Sequence, residues 1–182
     1  TVPVERQSAE SPENLRWKLG PVLFLSLNVP GPNNNFGMGR TAKPEYLERT
    51  PHVIDWLKQG FALARREESA GIVIVMQGNP AFKHFAAGLG HSGFRDLLDA
   101  LRQETLGFPG QVLLIHGDTH WHRIDKPLRD RASGRRVENF TRLETFGYPI
   151  MGWAKVIIDT ESPSLFRFES HSYTPAPIAE QR

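Results

Sequence analysis

The sequence predicts an α/β fold built on a mixed sheet with parallel neighbours, and three observations lead there. Residues 72–76 (Ile-Val-Ile-Val-Met) are too uniformly apolar for a strand with one wet face, so both faces are covered, and 112–115 (Val-Leu-Leu-Ile) read as a second buried strand. Each run follows a segment whose apolar residues recur at helical spacing, and strand–helix–strand units set parallel strands side by side. The 182 residues suffice for one domain with a real core. No repeat or linker divides them, so 1–182 is read as a single domain.

Residues 1–14 are polar, contain Pro3 and Pro12, and read as an extended arm. The chain opens at Thr1 without a methionine, which predicts a processed or partial chain. Residues 21–28 (Pro-Val-Leu-Phe-Leu-Ser-Leu-Asn) form a short apolar strand, and 29–39 are dense in turn formers. Asn33, Asn34 and Asn35 suit a loop that enters left-handed conformations, which is the reading the residues favour. In a functional account the amides of Asn33 and Asn34 face a substrate at the end of that strand.

Thr50-Pro51 has the signature of a helix start, a cap followed by proline at the first helical position. Val53, Leu57, Phe61 and Ala64 then share one face. Arg65, Arg66, Glu67 and Glu68 close that helix and Gly71 punctuates it. The run 72–76 ends in the polar turn Gln77-Gly78-Asn79-Pro80. Asn79-Pro80 caps a short helix through Phe82 and Phe85, interrupted at Gly88 and Gly90. Ser92 caps the next, with Phe94, Leu97, Leu98 and Leu101 on one face and Gly107 and Pro109 ending it. Beyond 128 the style changes: a charged loop over 129–136, then strands over 140–146, 153–159 and 165–169. In the last of these Phe166 and Phe168 alternate with polar residues, as in an antiparallel strand with one wet face. The tail over 174–182 reads as loose.

Bulk properties exclude several classes. Apolar residues make up 39% and charged residues 23%, as in a globular protein, and 22 Lys+Arg against 20 Asp+Glu leave no strong field for nucleic acid. The cluster of Arg129, Arg131, Arg135 and Arg136 reads as a solvated loop. With no cysteine, a metal would have to be held by His, Asp, Glu, Asn or Gln. No apolar run approaches the length of a membrane span.

The strongest chemical signal is where 111–115 ends, in His116-Gly117-Asp118-Thr119-His120-Trp121-His122. In open α/β sheets ligands gather at the carboxyl ends of strands. If the two central strands are neighbours, Gln77, Asp118 and His120 converge there. Asp and His suit zinc, iron or manganese, and Gln is a weaker, neutral oxygen donor. Spacing alone leaves metal binding level with the plainer reading, in which these histidines hydrogen-bond a surface turn. No Gly-x-Ser-x-Gly elbow and no Walker pattern is present.

At this point the sequence resembles a known family. His-Gly-Asp-Thr-His at 116–120 followed by Lys126-Pro127 is similar to the last metal motif of the calcineurin-like metallophosphoesterases. It is closest to a bacterial branch of that superfamily with His-Gly-Asp-(Ser/Thr)-His, then Asp-Lys-Pro-Leu, then Glu-Asn-Phe-Thr-Arg. Those match 116–120, 125–128 and 138–142, while 12–17 and 27–34 match two earlier motifs of the same branch. The resemblance implies an αββα sandwich of two mixed sheets, of which this chain is the C-terminal half. It implies that Gln77 and Asp118 stand at one metal position and His120 at the other, with His116, Asn33 and Asn34 beside the substrate. It further implies hydrolysis of a phosphorylated small molecule or other phosphoester with one or two divalent ions (Mn, Fe or Zn), and an exported, bacterial location. The first three motifs of the superfamily should lie before Pro12, so a further N-terminal segment would supply the remaining ligands. Half a sandwich would bare an apolar sheet face, which predicts a homodimer or cover by that segment. The alternative is a non-catalytic binding or structural domain that keeps the fold with a degenerate site.

Overall fold

A computed structural model describes residues 1–37, 41–88 and 92–173. Nine strands and three helices run in the order β1 (Val4–Arg6), β2 (Leu15–Leu19), β3 (Val22–Ser26), α1 (Pro44–Arg66), β4 (Gly71–Val75), α2 (Phe82–Ala86), α3 (Arg95–Leu106), β5 (Gln111–His116), β6 (Arg123–Asp125), β7 (Phe140–Glu144), β8 (Gly152–Ile158) and β9 (Phe166–Ser172). The fold is mixed α/β. Seven strands form one sheet in the order β1-β2-β3-β4-β5-β7-β6, and β8 and β9 form a separate hairpin. Strands β3, β4, β5 and β7 are parallel neighbours, while β1, β2 and β6 add antiparallel pairs at the edges.

Strand periodicity divides the core into two. Leu23, Leu25, Ile72, Ile74, Val112, Leu114 and Phe140 face the helices and pack on Val53, Trp56, Leu57, Phe61, Leu97, Leu98 and Leu101. Val22, Val73, Leu113 and Leu143 face the other way and are covered by Leu165 and Phe166, with Ala154, Val156, Ile158 and Phe168 of the hairpin packed around them. Each large apolar side chain taken wholly out of water contributes about 1.5–3 kcal/mol. The layers are therefore helices, sheet, hairpin. At the centre of the sheet the apolar face expected to be bare is covered, among the described residues, by the β8–β9 hairpin.

Several local expectations change. The first helix begins at Pro44, with Lys43 as its extended N-cap, and Pro51 lies inside it. Lys43-Pro44 supplies the same proline at the first helical position about two turns upstream, and the buried face Tyr46, Thr50, Val53, Leu57 carries the helix through Pro51. Residues 4–6 are not a free arm: β1 pairs with β2, and Gln7 reaches the backbone of α1 by donating to the His52 carbonyl (2.8 Å). All three β1 residues are exposed, so no periodicity marked the strand. Asn79 does not cap α2 directly. Its Oδ1 accepts the Ala81 N–H (3.2 Å), and Ala81, at φ 48°, is the N-cap. Ser92 lies ahead of α3, where its hydroxyl accepts the Phe94 N–H (3.2 Å). Gly90, the turn residues 38 and 39 and the tail over 174–182 lie outside the described residues. Among the described residues no helix is long and apolar enough to cross a membrane.

Candidate functional site

Strands β3, β4 and β5 end at one edge of the sheet, and backbone hydrogen bonds continue past them. Leu27 N–H donates to the Val75 carbonyl (2.9 Å), Gly78 N–H to Val29 (2.8 Å), and Gly117 N–H to Gln77 (3.1 Å). This lacing sets the turns 28–31, 77–79 and 117–120 side by side. Gln77 and Asp118 do meet there, at Gly31. Gln77 Oε1 accepts the Gly31 N–H, and an ideal Cβ on Gly31 would stand 2.6 Å from both carboxylate oxygens of Asp118. Only glycine leaves room for that carboxylate. Asp118 Oδ2 also accepts the Asn79 N–H (3.0 Å), so residues from all three turns fix its direction. Asp118 and His120 have φ of 81° and 61°, a left-handed backbone that costs non-glycine residues on the order of 1–3 kcal/mol.

His120 is held differently. Its Nδ1 lies 2.7 Å from the Tyr148 carbonyl, and its ring packs where a Cβ on Gly147 would be, 2.5 Å away. A carbonyl only accepts, so Nδ1 carries the hydrogen and Nε2 presents a lone pair; metal-binding histidines are oriented in this way. Asp118 and Gln77 therefore meet at Gly31, whereas the His120 ring, two residues on, lies against Gly147 and Tyr148. The Gln77 oxygen already serves Gly31. Among the described residues no three His, Asp or Glu side chains gather into a metal-binding group.

The other sequence candidates serve the framework. Asn33, Asn34 and Asn35 form a single 3-10 turn with φ of 51°, 52° and 54°, the left-handed loop their residue type favours. Asn33 Oδ1 accepts the Gly93 N–H (2.9 Å) and the buried Asn34 amide donates to the Gly93 carbonyl (2.8 Å). Arg49 then clamps the turn, donating to Asn34 Oδ1 (2.8 Å) and to the Asn34 carbonyl (2.9 Å). His116 is 1% exposed, on the helix side of the sheet, with its Nδ1 3.0 Å from the Gly117 carbonyl. Its Nε2 is buried without a hydrogen-bond partner. Burial holds its pKa below the ordinary 6.5, against the opposing pull of the Gly117 carbonyl and Glu144. His122 ties the turn to the hairpin, reaching the Glu144 carbonyl (2.8 Å) and the Ser170 hydroxyl (2.8 Å) and stacking on Phe146.

Three contributors gave no signal in the sequence. Gly31 was one glycine in a loop full of turn formers. Asn79 acts through its backbone. Glu144, at 0% exposure, accepts from the Thr119 hydroxyl and from Arg123 Nε (2.6 Å), bracing the turn from beneath. The matched motifs beyond the turn also work as framework. Asp125 takes two donors of the buried Arg142, and Asn139 Nδ2 reaches the carbonyls of Thr105, Phe108 and Gly110 at 3.2, 3.0 and 3.0 Å. Buried Asn14 accepts the Asn28 N–H (2.7 Å) through its Oδ1. Comparison of the chain with protein-family models, curated proteins and solved structures finds no match.

Proposed function

We propose that this chain carries part of the active site of a metal-dependent phosphoester hydrolase of the calcineurin-like kind. The observation that supports this most is the meeting of Gln77 and Asp118 over Gly31, in a turn that also carries a histidine whose Nδ1 is fixed by a carbonyl. Left-handed backbone at both Asp118 and His120 is stored where the two donors emerge, as at many functional sites. The layering of helices, sheet and hairpin also agrees with one side of an αββα sandwich.

In this reading Asp118 and Gln77, the latter a neutral oxygen donor, would hold one divalent ion and His120 would serve a second. Such an ion supplies a water of lowered pKa and neutralises charge on phosphoryl oxygens. The Asn79 N–H keeps the Asp118 carboxylate aimed, and the Tyr148 carbonyl keeps the His120 lone pair on Nε2. The substrate class is a phosphorylated small molecule or other phosphoester.

The test is metal content and hydrolysis of bis(p-nitrophenyl) phosphate after reconstitution with Mn2+, Zn2+ or Fe2+. It is made on this chain and on any longer product of the same reading frame. Metal uptake, with hydrolysis lost in Asp118→Ala and His120→Ala, is expected; no uptake, or unchanged hydrolysis in both variants, refutes the proposal. One observation favours a second reading, a binding domain with a degenerate site: Gln77 and Asp118 already have backbone partners in Gly31 and Asn79. Calorimetric titration separates the two, since tight stoichiometric binding of any of these ions contradicts the second.

A further inference from the structure

A basic concavity lies beside the metal-type turn, between α2, β6 and the loop that follows β6. It encloses about 450 Å3, and its lining includes Lys83, Arg123, Arg129 and Arg142 against a single carboxylate, Asp125. An adjoining hollow of about 270 Å3 shares His84, Ala86, Pro127 and Arg129 with it. The floor is built rather than incidental. Arg142 is 5% exposed, lies over the Phe82 ring at 5.3 Å, and gives Nε and Nη2 to Asp125. Arg123 likewise gives Nε and Nη2 to the buried Glu144. Each guanidinium is therefore held in one orientation by a carboxylate behind it, while its Nη1 takes no part in the pair.

Asp125 and Glu144 offset two of the four charges. Among the described residues Lys83 and Arg129 have no carboxylate partner, and both are exposed at the mouth of the cleft. A cavity of this size takes a small organic ligand. With Nε and Nη2 held by the carboxylates, the Nη1 groups keep charge-assisted donors for phosphate oxygens, and their pre-ordering lowers the cost of binding. We propose that this cleft binds a phosphate-bearing small molecule through Arg142 and Arg123 at its floor and Lys83 and Arg129 at its mouth. The site needs no metal, so it stands or falls independently of the hydrolase reading.

The probe is inorganic pyrophosphate, titrated calorimetrically into the chain in EDTA, with inorganic phosphate and acetate as comparisons. Saturable binding that weakens with added salt is expected, with acetate far weaker than pyrophosphate. Lys83→Gln/Arg129→Gln should weaken it about tenfold or more without changing the thermal midpoint, and Lys83→Arg/Arg129→Lys should retain it. No saturable pyrophosphate binding overturns the proposal. So does equal binding in the glutamine double variant, or acetate binding as tightly as pyrophosphate.

Discussion

Replacing Gly31 by alanine tests the geometry of the turn directly, because the outcome depends on one other side chain. The backbone of Gly31 is not left-handed, so alanine is allowed there, and shrinking the unfolded ensemble would by itself stabilise the protein by about 0.4–1 kcal/mol. The added Cβ would, however, stand 2.6 Å from both Asp118 oxygens and 2.7 Å from its Cγ, well inside the 3.4 Å of ordinary contact. Asp118 cannot simply swing away, since Asn79 N–H holds its Oδ2 and its backbone sits at φ 81°. Overpacking of this kind costs about 1–3 kcal/mol, so Gly31→Ala should be destabilising on balance. In the Asp118→Ala background the obstacle is gone and the same substitution should become neutral or stabilising. Urea unfolding of the wild type, the two single variants and the double variant gives the coupling energy. If Gly31→Ala costs the same in both backgrounds, Asp118 does not lie over Gly31 and the arrangement of the candidate site is wrong.

Two further expectations follow from buried groups. Asn139→Ala removes an amide that serves the carbonyls of Thr105 at the end of α3 and of Phe108 and Gly110 in the loop before β5, and should cost about 1–3 kcal/mol in urea unfolding. A loss under about 0.5 kcal/mol would show that those carbonyls find other partners. His116, with its pKa depressed by burial, stays neutral in the folded state where the unfolded chain takes up a proton. That contribution to stability is present above the ordinary 6.5 and is lost as pH falls from there toward the lowered folded value, by up to about 1.4 kcal/mol per pH unit. In metal-free buffer His116→Gln should flatten the fall between pH 6.5 and 5; an identical slope in the variant would show that His116 is not the group responsible.

The legible parts of the fold are those where burial on both faces writes itself into composition. Strands β4 and β5 have uninterrupted apolar runs because helices cover one face and the hairpin the other. The stripes Val53-Leu57-Phe61-Ala64 and Phe94-Leu97-Leu98-Leu101 are buried as their spacing predicts. Edge strands are the opposite case. β1, β2 and β6 bury little, so their pairing is carried by backbone groups that no periodicity reveals. The convergence of Gln77 and Asp118 was legible because parallel neighbours end together. The place where they meet was not, since Gly31 belongs to a third turn and its role depends on a close approach across the sheet. The basic cleft was hidden for a similar reason: Lys83, Arg123, Arg129 and Arg142 come from four separate places in the chain, and only Arg129 sat in a visible cluster.

The hydrogen bonds that close the turn do not by themselves oppose an ion. An ionised carboxylate has two oxygens and about four acceptor positions, and the Asn79 N–H takes one of them on Asp118. That bond acts as an outer-shell support, as the Tyr148 carbonyl does for His120. Gln77 is the weak member, because a neutral oxygen already accepting from Gly31 must share or surrender that bond to coordinate. Exchanging one such bond changes stability by only about 1 kcal/mol, small beside the coordination energy of a tightly held ion. Whether the turn holds metal therefore depends chiefly on how many strong ligands join Asp118. Gln77→His raises that number by one imidazole at the same edge, and stronger metal uptake in that variant would place the limit in ligand count rather than in the geometry of the turn.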